Sequence, residues 1–148
     1  MVVGGFDRER YDYVTHVADM ALEMREFVAL HPDLSKLKLG LHIGIATGPV
    51  VAGVIGTRRF IYDLWGDTVN IASRFTDEAR KGEVVVDKNT YHRLRQNYLF
   101  DPPTSVVVKG KGEMTAYRLI GRSGKAKSKP SPPDNVYHLD AGSAQQAR

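Results

Sequence analysis

The residues best suited to chemistry lie in one stretch, YDLWGDTVNIASR, at positions 62–74. Asn70 and Arg74 are four residues apart, so on a helix both side chains project from one face. An amide and a planar guanidinium on one face could bind ribose and phosphate oxygens together. Asp63 adds a carboxylate, which accepts hydrogen bonds and donates none when ionised. The spacing favours a nucleotide as ligand, although an isolated Asn and Arg pair is also typical of a solvated helix edge.

A second segment, VVVKGKGEM at positions 106–114, contributes cations. Lys109 lies between a valine run and Gly110, where a flexible ammonium group could neutralise phosphates. Lys111 is the alternative cation in the same segment. Because a KGKG sequence is also common in solvent-exposed hairpin turns, the assignment of Lys109 depends on its companions at positions 62–74.

The hydrophobic pattern of the first half predicts the elements that precede position 62. We expect, in order, a short strand at 2–3, a helix over 14–28, and strands at 39–45 and 50–55. Pro32 should stop the helix. Residues 47–49, Thr-Gly-Pro, separate the two later strands, so we expect these strands to meet there as a core hairpin.

The second half alternates helices and strands. Asp67 should cap a helix that ends at Gly82. Its apolar stripe consists of Ile71, Ala72, Phe75 and Ala79. The elements after it are a strand at 84–86, a helix at 90–96, and strands at 105–108 and 115–120. The order βαββαβαββ predicts an α+β fold with helices over one face of a mainly antiparallel sheet.

Composition limits the class of protein. The chain has 148 residues, 42% of them hydrophobic, and no cysteine, which fits one soluble domain with a single core and excludes a disulfide scaffold. No stretch approaches the roughly 20 apolar residues that span a bilayer, and no signal peptide is evident, so we expect a cytoplasmic chain. The five histidines, including His42, lack metal-ligand spacing, and we assign no residue to a metal.

The charge is unevenly distributed. Residues 122–148 hold five basic and two acidic residues, so most of the net charge of +4 lies there and the body is nearly neutral. A nearly neutral body is a poor electrostatic footprint for DNA or RNA, and we expect no nucleic-acid partner. We therefore predict a folded domain at 1–121 and a disordered, basic, proline-containing tail at 122–148.

Taken together, YDLWGDTVNIASR and VVVKGKGEM resemble the class III adenylyl and guanylyl cyclase catalytic domain. The resemblance covers residues 1–122 and implies a partial, ferredoxin-like nucleotidyl cyclase fold. It implies that Asn70 orients the ribose, that Arg74 stabilises charge developing on the α-phosphate, and that Lys109 neutralises the β- and γ-phosphates. Asp63 would pair with the exocyclic amino group of adenine. The implied reaction converts ATP to 3′,5′-cyclic AMP and pyrophosphate.

The sequence also departs from the family pattern. The two metal-binding aspartates of the family, and the lysine that completes adenine recognition, have no counterpart here. The resemblance therefore implies that Mg²⁺ or Mn²⁺ is held by ligands from a partner or from a segment before Met1. It also implies a homo- or heterodimer with another cyclase domain, because family sites lie between subunits.

The departure from the family pattern affects the expected activity and surface of the chain, and it leaves three alternative functions open. We expect the chain alone to be inactive or very weak, and its apolar sheet surface to be partly uncovered, which favours association. The alternatives are a guanylate cyclase, a non-catalytic module that binds a nucleotide or a cyclase subunit, and an inactive fragment.

Overall fold

The computed structural model describes residues 1–5, 12–55, 61–108 and 110–124. These residues form, in chain order, helices α1 (Tyr13–Leu30) and α2 (Pro32–Lys36), strands β1 (His42–Ile45), β2 (Val51–Ile55) and β3 (Ile61–Trp65), helix α3 (Asp67–Glu78), strand β4 (Glu83–Asp87), helix α4 (Lys88–Leu94), and strands β5 (Tyr98–Phe100), β6 (Thr104–Val108) and β7 (Gly112–Arg122). The tail predicted at 122–148 lies almost wholly outside the described residues.

The main sheet has five strands. Four follow the order β1-β4-β7-β5, and β6 also pairs with β7. The pairing of β1 with β4 is parallel, whereas the three pairings of β7 are antiparallel. Strands β2 and β3 form a separate antiparallel ribbon. The prediction of an α+β fold with a mainly antiparallel sheet is confirmed.

The helices cover both faces of this sheet. Val84 and Val86 of β4 belong to one core cluster, which includes Val14, Ala18 and Ala21 of α1 and Leu94 of α4. Val85, between them, belongs to a second cluster with Phe75 of α3 and with Ala79, which directly follows that helix. Successive strand residues point to opposite faces, so α3 lies across the sheet from α1 and α4. The expectation that the helices share one face is wrong.

Helix α3 packs directly on the backbone of β1. A Cβ atom added to Gly44 would lie 2.1 Å from the carbonyl oxygen of Ala72 and 2.5 Å from the amide nitrogen of Thr76. The Gly44 amide also donates to the Thr76 hydroxyl at 3.0 Å. A glycine at this position therefore sets the distance between α3 and the sheet.

The predicted core hairpin is wrong. Strand β1 pairs with β4, and β2 pairs with β3, a strand that is absent from the predicted elements. The loop between β1 and β2 is held by side chains: the Thr47 amide donates to Asp87 at 3.1 Å, and Thr68 donates to the Pro49 carbonyl at 2.7 Å. These bonds direct the chain away from the sheet, so no tight turn forms. Residues 2–3 lie in a segment without regular structure.

The helix predictions are better, but their ends differ. Helix α1 confirms the prediction for 14–28, and Pro32 begins α2. Gly66, with φ 135°, is the N-cap of α3, so the predicted capping by Asp67 is wrong. The helix ends at Glu78, before Gly82, which has φ 78° in the turn into β4.

Apolar surface is left uncovered, as the sequence indicates. A cavity of about 630 Å³ opens between α1, β1 and α3, with Met20, Ile43 and Val69 in its lining. On the β2–β3 ribbon, Val51 and Val54 are 65% and 62% exposed. None of the helices in the described ranges is long and apolar enough to cross a membrane.

Candidate functional site

Helix α3 presents a polar face opposite its buried stripe. Asp67, Asn70, Arg74 and Asp77 recur at intervals of three and four and are all exposed, whereas Phe75 is fully buried. This spacing gathers the four side chains along one side of the helix. The structure thus places Asn70 and Arg74 on one accessible helical face, where an amide and a guanidinium can contact one ligand.

Arg74 forms a surface ion pair. A guanidinium nitrogen lies 3.5 Å from a carboxylate oxygen of Asp77, and the two side chains are 47% and 63% exposed. Exposed pairs of this kind contribute about 0.2–1 kcal/mol. The guanidinium can therefore move to an anionic ligand at little cost in free energy.

Asp63 lies on β3, opposite Gly53 of β2, and is half-buried. One carboxylate oxygen accepts a hydrogen bond from the Leu64 amide at 2.8 Å. A Cβ atom on Gly53 would come within 3.0 Å of the Trp65 ring, so the glycine makes room for that indole beside the carboxylate. The strand and the local hydrogen bond give the Asp63 carboxylate a defined orientation.

The turn between β6 and β7 lies against the first turn of α3. The Lys111 ammonium is 2.7 Å from a carboxylate oxygen of Asp67. Lys109, the predicted phosphate cation, lies outside the described residues. The sequence offers Lys111 only as an alternative phosphate cation and does not predict this ion pair, because Asp67 and Lys111 are far apart in the chain.

The charged cluster with displaced pKa values lies elsewhere. Asp19 of α1 accepts a hydrogen bond from the Tyr98 hydroxyl at 2.7 Å and forms an ion pair with Arg122. Burial, followed by the hydrogen bond to Asp19, raises the pKa of Tyr98 above its ordinary value. Tyr98 belongs to the core cluster of α1, across the sheet from α3, so we regard this group as a structural clamp.

Within the described ranges, no three His, Asp or Glu side chains come together in a way that could hold a metal ion. The acidic residues of the α3 face, Asp67 and Asp77, are instead paired with Lys111 and Arg74. The described residues therefore do not fit a bound divalent cation by themselves.

Comparison with known proteins gives one consistent family. The sequence model described as the adenylate and guanylate cyclase catalytic domain matches residues 1–121. An adenylate cyclase of Mycobacterium tuberculosis is 44% identical over 122 residues, which are 82% of this chain and 28% of that protein. The aggregation-specific adenylate cyclase of Dictyostelium discoideum is 32% identical over 143 residues, 95% of this chain and 10% of that protein.

Solved structures agree with the sequence comparison. The guanylate cyclase domain of RhGC from Catenaria anguillulae, in complex with GTP, superposes with a TM-score of 0.71 at 30% identity, over 77% of this chain and 63% of that one. The adenylyl cyclase CyaB from P. aeruginosa shares the fold, with a TM-score of 0.65 at 23% identity, over 76% and 61% of the two chains. The chain thus spans less than a third of the mycobacterial relative and under two thirds of the solved domains.

Proposed function

The chain belongs to the adenylate and guanylate cyclase catalytic domain family, and we propose that it is an adenylate cyclase subunit that forms 3′,5′-cyclic AMP and pyrophosphate from ATP. The observation that carries the proposal is the exposed face of α3, on which Asn70 and Arg74 lie one turn apart. The 44% identity to a mycobacterial adenylate cyclase supports the same reaction.

The proposed roles follow from the chemistry of the two side chains. The ribose 3′-oxygen attacks the α-phosphorus, its proton passes to solvent, and the bond from that phosphorus to the pyrophosphate oxygen breaks. The Asn70 amide binds and orients the ribose, and the Arg74 guanidinium neutralises charge that develops on the α-phosphate. Such a step depends on alignment and charge stabilisation, which fixed hydrogen-bond donors provide. We assign the β- and γ-phosphates to Lys109.

Asp63 is the proposed base-reading residue. Its carboxylate can only accept hydrogen bonds, so it favours the exocyclic amino group of adenine over the carbonyl that guanine presents at the same edge. The bond from the Leu64 amide occupies one of its oxygens. The solved relative bound to GTP makes guanine the alternative base, and the assay below includes it.

We further propose that the working site forms between this chain and a second cyclase domain in the cytoplasm, where ATP is present. A divalent cation, Mg²⁺ or Mn²⁺, would supply additional positive charge at the phosphates, with ligands from outside the described residues. Exposed Val51 and Val54 and the cavity beside β1 support association, since uncovered apolar surface is typical of interaction sites.

The test measures cyclic AMP from ATP and Mn²⁺, with the purified chain alone and mixed with a partner. The partner is a cyclase domain that keeps its metal aspartates but lacks its own Asn and Arg. Activity in the mixture alone is the expected result, and GTP in place of ATP should give little product.

Two other results would change the proposal. Preference for GTP would reassign the chain as a guanylate cyclase subunit. No product from a mixture whose folding is verified by circular dichroism would refute the enzymatic role. Stabilisation of the chain by ATP, lost in Asp63→Ala, would then indicate a nucleotide-binding module.

A further inference from the structure

A polar network at the β4–α4 corner holds the loop that follows β1. Asp87, the last residue of β4, is 6% exposed, and one of its oxygens accepts from the amides of Thr47 at 3.1 Å and Thr90 at 3.0 Å. The hydroxyls of Thr47 and the fully buried Thr90 lie 2.6 Å apart. The Asn89 side chain donates to the Thr47 carbonyl at 3.1 Å. Thr47 is therefore fixed at its amide, its carbonyl and its hydroxyl.

Two residues later, the same loop contacts the first turn of α3. The Thr68 hydroxyl donates to the Pro49 carbonyl at 2.7 Å. A Cβ atom on Gly48 would lie 2.6 Å from the Thr68 hydroxyl oxygen, so loop and helix are in close contact. The N-cap of α3 is Gly66, which has no side chain with which to cap the helix. The Thr68 hydroxyl donates and so does not satisfy free amides of the first turn as a side-chain cap would, but its bond to Pro49 joins that turn to the loop.

We propose that Asp87 and Thr68 are positioning residues for the nucleotide site. Both residues bond to the loop that follows β1, Asp87 to Thr47 and Thr68 to Pro49. This loop sets the position of the first turn of α3, and therefore of the Asn70 and Arg74 side chains. This inference rests on the proposed function, because it takes these two side chains as substrate ligands. A step that depends on alignment is sensitive to small displacements of such ligands, and hydrogen bonds to a buried carboxylate resist displacement.

The first variant pair isolates the hydroxyl of Thr68. Thr68→Val keeps the branched shape and removes the bond to Pro49, whereas Thr68→Ser keeps a hydroxyl. The matched control is Thr76→Val in the same helix, whose hydroxyl bonds to Gly44 and to the Ala72 carbonyl, both at 3.0 Å, away from the first turn.

A further variant, Asp87→Ser, tests the distant end of the network. A serine can still cap α4 by accepting from the Thr90 amide. Its oxygen is one bond closer to the backbone than the carboxylate oxygen that the Thr47 and Thr90 amides share, so the variant should release Thr47. Asp87→Ser is informative because, in the part of the chain that the structure describes, the carboxylate of Asp87 accepts from Thr47, Asn89 and Thr90 and makes no hydrogen bond to α3.

The first readout is amide hydrogen exchange in the full chain, measured by NMR without any ligand. The amides of Val69 and Asn70 both donate to the Gly66 carbonyl, at 3.1 and 3.3 Å, and so report on the first turn. Their exchange, relative to that of the Phe75 amide, should be about fivefold faster in Thr68→Val and Asp87→Ser, as expected for one lost hydrogen bond. Thr68→Ser and Thr76→Val should stay within about twofold of the unchanged chain.

The second readout is the kcat and KM for ATP of the mixed dimer, by which we mean this chain combined with the partner cyclase domain that lacks its own Asn and Arg. Thr68→Val should lower kcat about fivefold with KM within about twofold, and Thr68→Ser should restore kcat. Unchanged exchange in both Thr68→Val and Asp87→Ser would overturn the network. Faster exchange with unchanged kcat, or an equal loss in Thr76→Val, would overturn the positioning role. An inactive unchanged mixture would refute the proposed function, while the exchange result still decides the network.

Discussion

Replacement of Arg74 by alanine should remove nearly all activity of the mixed dimer and leave the fold intact. The side chain is 47% exposed, and its described ion pair is with Asp77 at 3.5 Å. An exposed pair contributes about 0.2–1 kcal/mol, so we expect the free energy of unfolding to fall by no more than about 1 kcal/mol. Loss of a group that stabilises transition-state charge lowers kcat about 100- to 1,000-fold, or about 3–4 kcal/mol. These two magnitudes are far enough apart to be measured separately.

The assay follows cyclic AMP from ATP and Mn²⁺ in the mixture, and urea denaturation of each variant reports its stability. Asp77→Asn is the matched control, because it breaks the same ion pair and keeps the guanidinium. We expect kcat of Asp77→Asn to stay within about fivefold of the unchanged chain, because an exposed ion pair contributes at most about 1 kcal/mol, which corresponds to about fivefold in a rate. Arg74→Lys should be intermediate, since lysine keeps the charge but loses the fork geometry.

Two results would refute this reasoning. If Arg74→Ala kept more than half of the activity, the guanidinium would have no part in the transition state. If Asp77→Asn were as damaging as Arg74→Ala, the ion pair itself, and not the contact with phosphate, would be the feature that matters.

Three further predictions concern packing, the turn beside the site, and the core clamp. Gly44→Ala should lower the free energy of unfolding in urea by about 3 kcal/mol, because its Cβ would lie 2.1 Å from the Ala72 carbonyl oxygen. A double-mutant cycle of Asp67→Asn and Lys111→Met should give a coupling energy of about 0.2–1 kcal/mol in dilute buffer, lost in 1 M salt. The raised pKa of Tyr98 predicts that stability is highest below about pH 10 and falls above it; Tyr98→Phe should flatten that fall in urea unfolding.

Two of these predictions have a control in the same chain. Among the described residues, and apart from its chain neighbours, a Cβ atom on Gly121 would have no atom within 4 Å, so Gly121→Ala should leave stability nearly unchanged. The exposed pair of Lys36 and Asp33, at 3.8 Å, provides a cycle within one short helix. A coupling between Asp67 and Lys111 that persists in high salt, or an alkaline loss of stability unchanged in Tyr98→Phe, would contradict the corresponding prediction.

The sequence predicted what depends on local spacing. Asn70 and Arg74 lie on one helical face because residues four apart always do so, and the stripe of Phe75 and Ala79 is buried as expected. The predicted capping by Asp67 is wrong, because Gly66, with positive φ, is the N-cap residue and the Asp67 carboxylate pairs with Lys111 of a distant turn. The spacing of residues three and four apart thus predicts the face of a helix, but not which distant side chain meets it.

The predicted hairpin failed for a related reason. An apolar run does not indicate which strand it pairs with. Strand β1 pairs with the apolar strand β4, and β2 pairs with β3. The bonds that separate them join Thr47 to Asp87, 40 residues apart. Sequence patterns of period two or 3.6 carry no information at that separation, so the loop that supports the site could only be found in the structure.

The charge on the α3 face supports the proposal that a second cyclase domain contributes to the site. Two acidic side chains, Asp67 and Asp77, are balanced there by Lys111 and Arg74, so the described face carries no net charge. A triphosphate brings several negative charges, and their mutual repulsion must be neutralised before the 3′-oxygen can approach the α-phosphorus. In the proposed site, Arg74 and Lys109 would meet only part of that need. We propose that a divalent cation, held by residues of a second cyclase domain, would supply the remainder, so we expect ATP turnover to appear when such a domain is added.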